Sequence, residues 1–218
     1  MRAKFGVAVM LLAACGGNDS AARARPAPVE STTVAARGAT AAEPAPGRPG
    51  VPRVLFIGTS LTAGYGLDDP GRDAYPAVIQ RLADSAGVKA FVVNAGLSGE
   101  TSAGALRRVD WLLREKPDVV VIETGANDGL RGLNPDSTAG NIRQIIGRIR
   151  AVNPAAGILL VQMEAPTNLG PAYTRAFHSL FGKVAAEQRV VLSPFLLDHV
   201  GGIARLNQGD GIHPTPEG

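Results

Sequence analysis

From residue 51 onward the apolar positions fall into two rhythms. Arg53-Val54-Leu55-Phe56-Ile57 is a short β-branched run bounded by Pro52 and Gly58, and similar runs stand at residues 90–93, 119–122, 157–163 and 190–192. Their apolar residues are consecutive instead of alternate, the pattern of strands buried on both faces. Between these runs the spacing turns helical. Val78, Ile79 and Leu82 share one face of residues 76–86, a stretch closed by Gly87 as a C-terminal glycine closes a helix. Leu106, Val109, Leu112 and Leu113 do the same in residues 102–115, Ile142, Ile145, Ile146 and Ile149 in 141–152, and Phe177, Leu180, Phe181 and Val184 in 173–188. The alternation predicts an α/β domain over residues 51–218, a parallel sheet with helices on both faces. Ligands of such sheets bind beyond the carboxyl ends of the strands, so the residues just after each run are the place to look for chemistry.

The first 50 residues show neither rhythm. Arg2 and Lys4 precede an apolar run from residue 5 to 14, and the run ends in Leu12-Ala13-Ala14-Cys15. A charged start, an apolar stretch of this length and small residues before a cut are the marks of an export signal. The last four residues resemble a bacterial lipobox, which makes residues 1–15 a lipoprotein signal peptide with Cys15 as the lipidation site. Residues 16–50 hold ten Ala, five Gly and five Pro, with Val29 and Val34 as the only large aliphatics and no aromatics. Such a stretch buries too little apolar surface to offset its ordering entropy and reads as a disordered tether. The expected location is the bacterial cell envelope, lipid-anchored and facing the periplasm or exterior.

Composition narrows the partners. With 45% hydrophobic and 19% charged residues the chain has a globular balance. Cys15 is its one cysteine, which excludes an intramolecular disulfide framework and a cysteine-clustered zinc site. The net charge of +3 suggests a nucleic-acid surface only until it is mapped: residues 51–218 carry 16 Lys+Arg against 16 Asp+Glu. A folded face with no basic surplus has no stripe to lay on phosphates, so no nucleic-acid partner is expected. Nothing bears on oligomeric state.

Four segments follow the runs or close the chain: Gly58-Thr59-Ser60-Leu61-Thr62, Asn94-Ala95-Gly96-Leu97-Ser98-Gly99, Gly125-Ala126-Asn127-Asp128 and Asp210-Gly211-Ile212-His213-Pro214. Acyl transfer needs a nucleophile, a base, a group to orient the base and donors for an oxyanion. Ser60, His213, Asp210 and the amides at Gly96 and Asn127 supply one of each. Singly, each has a plainer reading: a serine after a strand caps a helix, and Asn, Asp and Gly make turns. The first segment lacks the fifth-position glycine of an α/β-hydrolase elbow, Gly-x-Ser-x-Gly, because Thr62 stands there.

Taken in order, the four segments resemble the SGNH (GDSL-type) hydrolases, closest to their bacterial arylesterase, acyl-thioesterase and lysophospholipase branch. The likeness runs from about residue 53 to the last residue and includes Thr62-Ala63-Gly64-Tyr65-Gly66 and Asp128-Gly129-Leu130-Arg131-Gly132. It implies a three-layer α/β/α fold with a flavodoxin-like parallel sheet of about five strands. It also implies a serine esterase working through an acyl-enzyme on small-molecule or lipid acyl esters. Ser60 would be the nucleophile, His213 the base and Asp210 its orienting partner. The N–H groups of Ser60 and Gly96 with the Asn127 amide would form the oxyanion hole. Neither metal nor organic cofactor is implied. A carbohydrate O-acetyl esterase of the same family is one alternative, and a catalytically silent envelope lipoprotein another.

Two departures accompany the likeness. Thr59 stands where the family carries aspartate, and its hydroxyl is expected to keep part of that residue's hydrogen bonding. The family also continues past the position of Gly218 into a helix on the sheet, so residues 51–218 are expected to be a C-terminally incomplete hydrolase domain. Outside the motifs, His178 reads as structural or surface, His199 as non-catalytic and Trp111 as core. Arg107, Arg108, Arg148 and Arg150 read as solvated helix faces. Gly64-Tyr65-Gly66 lacks the partners of a phosphate-binding loop. Segments 130–138 and 164–171 are expected to line the acyl pocket.

Overall fold

The computed structural model describes residues 50–218, so the expected signal peptide, Cys15 and the expected tether lie outside the described residues. The five expected strands are present: β1 (Arg53–Gly58), β2 (Phe91–Gly96), β3 (Val119–Ile122), β4 (Gly157–Gln162) and β5 (Val191–Phe195). They pair in parallel throughout, in the order β2-β1-β3-β4-β5. The helices are α1 (Ser60–Ala63), α2 (Pro70–Asp73), α3 (Tyr75–Ser85), α4 (Ser102–Leu112), α5 (Ala126–Leu130), α6 (Pro135–Val152) and α7 (Pro171–Gln188). None of them is long and apolar enough to cross a membrane.

The order explains the layers. The β1-to-β2 connection steps one way along the sheet, and the three later connections step the other way. Right-handed crossovers then put α3 on one face and α4, α6 and α7 on the other. By register, Leu55 and Ile57 sit beside Val120 and Ile122, which sit beside Ile158 and Leu160, on the face of the three long helices. Ile142, Ile145, Ile146 and Ile149 of α6 are wholly buried there, with Phe177 and Phe181 of α7. Each such side chain contributes about 1.5–3 kcal/mol on leaving water. Phe56 points the other way and meets Tyr75 of α3 edge-on at 5.6 Å between ring centres.

Element ends differ from the expectations for local reasons. Helix α6 begins at Pro135, six residues early, because Asn134 accepts a hydrogen bond from the Asp136 N–H and Pro135 takes the first helical position. Strand β2 runs on to Gly96 through Asn94 and Ala95, residues whose polarity or size hides a strand in the sequence. Strand β5 reaches Phe195 through Pro194, tolerable because β5 is an edge. Gly87 does end α3, in the left-handed conformation at φ 68°. Trp111 is half-buried against the core instead of inside it.

Strand β1 lies where the order reverses, between β2 and β3. A crevice opens at such a point, because the connections on its two sides leave in opposite directions. Residues after β1, β2 and β3 all reach it.

Candidate active site

Ser60 occupies the first position of α1, directly after β1, so its N–H has no partner within the helix. Its hydroxyl lies 2.8 Å from His213 Nε2 across 153 residues of sequence. His213 Nδ1 in turn lies 2.6 Å from Asp210 Oδ2. A carboxylate only accepts, so the ring proton sits on Nδ1, and Nε2 presents a lone pair to the serine hydroxyl. The same carboxylate accepts the backbone N–H groups of Ile212 and His213 through Oδ1, at 2.9 and 3.0 Å. The His213 N–H, then the His213 ring and the Ile212 N–H, hold Asp210 down at a pKa of about 2. Asp210 is therefore an anion at any pH where the imidazole works.

The histidine loop is tied to the serine turn. Gln208 Nε2 donates to the Tyr65 carbonyl at 2.8 Å, and the Tyr65 ring lies 4.8 Å from the imidazole centre. Tyr65 N–H donates back to the Ser60 carbonyl at 3.0 Å. Tyr65 and Gln208 thus tie the His213 loop to the Ser60 turn, contacts that sequence reasoning did not foresee.

Beneath the serine turn lies Glu123, fully buried at the end of β3. It accepts the Thr59 N–H at 2.7 Å, the Thr59 hydroxyl at 2.9 and 3.0 Å, and the Thr62 hydroxyl at 2.9 Å. With the Thr62 proton spent on Glu123, the Tyr75 hydroxyl donates to Thr62 at 2.7 Å. Burial raises the Glu123 pKa, and the threonine hydrogen bonds oppose it. Thr59 keeps a hydrogen-bonding role in the turn, acting as the donor to a carboxylate from β3. An acid at the end of an otherwise apolar strand was the available signal for Glu123.

Asn127 lies in α5 on the facing wall, and its Nδ2 donates to the Glu100 carbonyl at 3.0 Å. Its neighbour Asp128 is buried and accepts the Ser102 N–H at 2.8 Å, the Ser102 hydroxyl at 2.5 Å and the Thr138 hydroxyl at 3.1 Å. Four of the five residues named from sequence, Ser60, Asn127, Asp210 and His213, line one cleft of about 280 Å³. Leu61, Tyr65, Leu130 and Ile212 give it an apolar rim, while Ser98 and Gly99 close the side nearest β2.

Gly96 does not join them. Its N–H is taken by the Asn94 side-chain oxygen at 2.9 Å, and it still pairs with Gly58 in the sheet. A Cβ at 96 would stand 2.2 Å from the Ala63 backbone nitrogen, so close packing of α1 on β2 accounts for this glycine. Leu97 N–H extends the ladder to the Gly58 carbonyl, and only then does the chain turn, with Glu100 N–H donating to the Leu97 carbonyl. Gly99, at φ 77°, is the glycine of that turn on the cleft wall. Gly99 and not Gly96 therefore reaches the cleft.

Arg108 also departs from expectation. It forms a two-pronged pair with Glu100 and is not a solvated face, whereas Arg107 is exposed and Arg148 pairs with Asp110 at the surface. His178 is exposed and meets Glu164 at 2.6 Å, and His199 is solvent-facing beside Asp198. Among the described residues no group of three His, Cys, Asp or Glu is placed to hold a metal.

Residues 56–218 match the family described as GDSL-like Lipase/Acylhydrolase. The chain is 44% identical to "Esterase TesA" of Pseudomonas aeruginosa over 74% of this chain and 79% of that protein. It is 40% identical to "Thioesterase 1/protease 1/lysophospholipase L1" of Escherichia coli K12, over 74% and 75%. Among solved structures it resembles the psychrotrophic esterase EstA from Pseudoalteromonas sp. inhibited by monoethylphosphonate. That likeness has a TM-score of 0.71 and 34% identity over 76% of this chain and 88% of that one.

Proposed function

This chain belongs to the GDSL-like lipase/acylhydrolase family and is a serine esterase of that type, and we propose how its own residues divide the reaction. Ser60 Oγ attacks the acyl carbon while its proton passes to His213 Nε2. The oxygen of the tetrahedral intermediate takes hydrogen bonds from the Ser60 and Gly99 N–H groups and from the second Nδ2 proton of Asn127, the first being held by Glu100. His213 returns the proton to the leaving oxygen or sulfur, and an acyl-serine remains. Water then gives a proton to His213 and attacks the acyl carbon, and as the bond from that carbon to Ser60 Oγ breaks His213 returns the proton to Oγ, which frees the acid and restores the serine. Asp210 stays anionic and stabilises the imidazolium without taking its proton. The observation that carries this reading is the row Ser60 Oγ, His213 Nε2 and Nδ1, Asp210 Oδ2, with spacings of 2.8 and 2.6 Å.

The substrates we propose are short- to medium-chain acyl esters, acyl thioesters and lysophospholipids. The apolar rim of the cleft supports this, as do the names of the relatives, esterase and thioesterase/lysophospholipase. A series of p-nitrophenyl esters from acetyl to dodecanoyl, measured beside acetylated sugars, is expected to peak at butanoyl to decanoyl. An acetylated sugar hydrolysed faster than every longer acyl ester would overturn the assignment.

We further propose that Cys15 carries a lipid that holds the domain at the cell envelope. The support is the charged start, the apolar run and a single cysteine after Leu12-Ala13-Ala14. Full-length protein expressed in a bacterial host is expected to incorporate labelled palmitate and to sediment with membranes, and Cys15→Ser to lose both. Equal labelling of the variant would refute the anchor.

A further inference from the structure

Resting on the oxyanion reading above, we propose that the buried Glu100–Arg108 pair is the positioning element of the oxyanion hole. Arg108 Nε and Nη2 meet the two Glu100 carboxylate oxygens at 2.7 and 2.6 Å. Both side chains are withdrawn from water, at 15% and 5% exposure. Glu100 follows Gly99 directly, and its own carbonyl receives the Asn127 amide at 3.0 Å. The pair therefore grips the one residue that links two proposed oxyanion donors. Arg108 Nη2 also lies 3.4 Å from the Gly58 carbonyl, two residues before Ser60. One guanidinium on α4 thus touches the strand end that carries the nucleophile and clamps the turn that carries the facing donors.

The energetics point the same way. A buried ion pair recovers its desolvation cost only when every remaining donor is met, and an apolar pair of similar volume is commonly as stable or more so. Here Arg108 Nη1 is buried with no partner among the described residues. The arrangement is a poor one for stability alone. It suits placement, because a planar fork fixes both the distance and the plane of the carboxylate it holds. The Asn127 amide has two N–H groups, and locking one on the Glu100 carbonyl aims the other.

The test separates placement from folding. Arg108→Lys keeps the charge opposite Glu100 and loses the fork. It is expected to lower kcat on octanoyl ester by about 10- to 100-fold, the scale of a small misplacement of catalytic groups, with KM changed by less than about twofold. Asn127→Ala alone is expected to cost about 100- to 1,000-fold in kcat. Combined with Asn127→Ala, Arg108→Lys is expected to cost clearly less than it does alone, since groups acting through one another are not additive and only the Gly99 donor and the Gly58 contact are left to disturb. Glu100→Gln, which leaves the guanidinium an amide oxygen, follows the same pattern and replaces Arg108→Lys if that variant fails to fold. An undiminished Arg108→Lys loss in the Asn127→Ala background would overturn the pair's role while leaving the oxyanion reading intact, and so would full activity of both Arg108→Lys and Glu100→Gln. Full activity of Asn127→Ala would overturn the oxyanion reading and the pair's role with it.

Discussion

Ser60→Ala is expected to lower kcat on acyl esters by roughly 10⁴- to 10⁶-fold, leaving only what binding and the oxyanion donors supply. The fold should survive. The Ser60 hydroxyl makes one hydrogen bond, to His213 at 2.8 Å, at a partly exposed position, so its removal costs about 1 kcal/mol or less. The backbone N–H of residue 60 is kept, and with it the turn held by Glu123 through Thr59. Two measurements check this: initial rates on p-nitrophenyl octanoate, with circular dichroism as the control for folding, and covalent labelling by a fluorophosphonate. The natural chain should label once and Ser60→Ala not at all. Full hydrolysis by the variant, or labelling that persists, would move the nucleophile elsewhere.

His213→Ala is expected to cost about as much as Ser60→Ala, and the double variant little more than either, because nucleophile and base act as one unit. A double variant slower by the product of the two losses would mean that the residues act separately. The acid limb of the pH–rate profile belongs to the same prediction. Nε2 must be free of a proton to accept one from Ser60, so the rate falls as the imidazole becomes charged. Asp210 does not confuse this limb, because its hydrogen bonds keep it ionised down to about pH 2. The sign for stability follows. A carboxyl whose pKa is depressed in the folded state contributes fully above its unfolded value, about 3.9, and loses that contribution as pH falls toward 2. Activity lost above pH 4 is then no sign that protonation of Asp210 has loosened the Asp210–His213 loop. An acid limb that persists with the same midpoint in a residually active His213 variant would contradict this.

Glu123 and Arg108 show how a catalytic turn is supported from behind. Glu123 draws three donors from Thr59 and Thr62, and these favour its ionised form. Burial still wins at that site, since the pKa remains raised. On the opposite wall, Asp128 anchors α5 to Ser102 and Thr138, so Asn127 is presented from a braced turn of helix. Ser60 and Asn127 therefore sit on turns braced by separate buried acids, Glu123 and Asp128.

Much of this was legible in the order of residues. Apolar runs between Gly, Pro and polar residues marked all five strands, and isoleucines at helical spacing marked the buried face of α6. Ser60, Asn127, Asp210 and His213 stood out because each sits in a short segment after a strand or in a tight loop, where local chemistry has local spelling. Gly96 was misread because proximity to a strand end was taken for exposure. The β1–β2 ladder runs on through Leu97, and a residue whose N–H is already bonded within its own strand offers nothing to a ligand. Arg108 was misread because one turn of helix shows its charge but not what faces it.

Periodicity, breakers and motif order are properties of neighbours along the chain, and they were enough to specify an α/β domain, its strands and the chemical types needed for acyl transfer. Three-dimensional packing alone settled which glycine faces the cleft, which arginine pairs with Glu100 and which acid lies under Ser60. Each of those depends on partners at distant positions, such as Thr59 and Glu123 at a sequence separation of 64 or Ser60 and His213 at one of 153. Burial and hydrogen-bond supply are shared between segments, so no single stretch of sequence contains them.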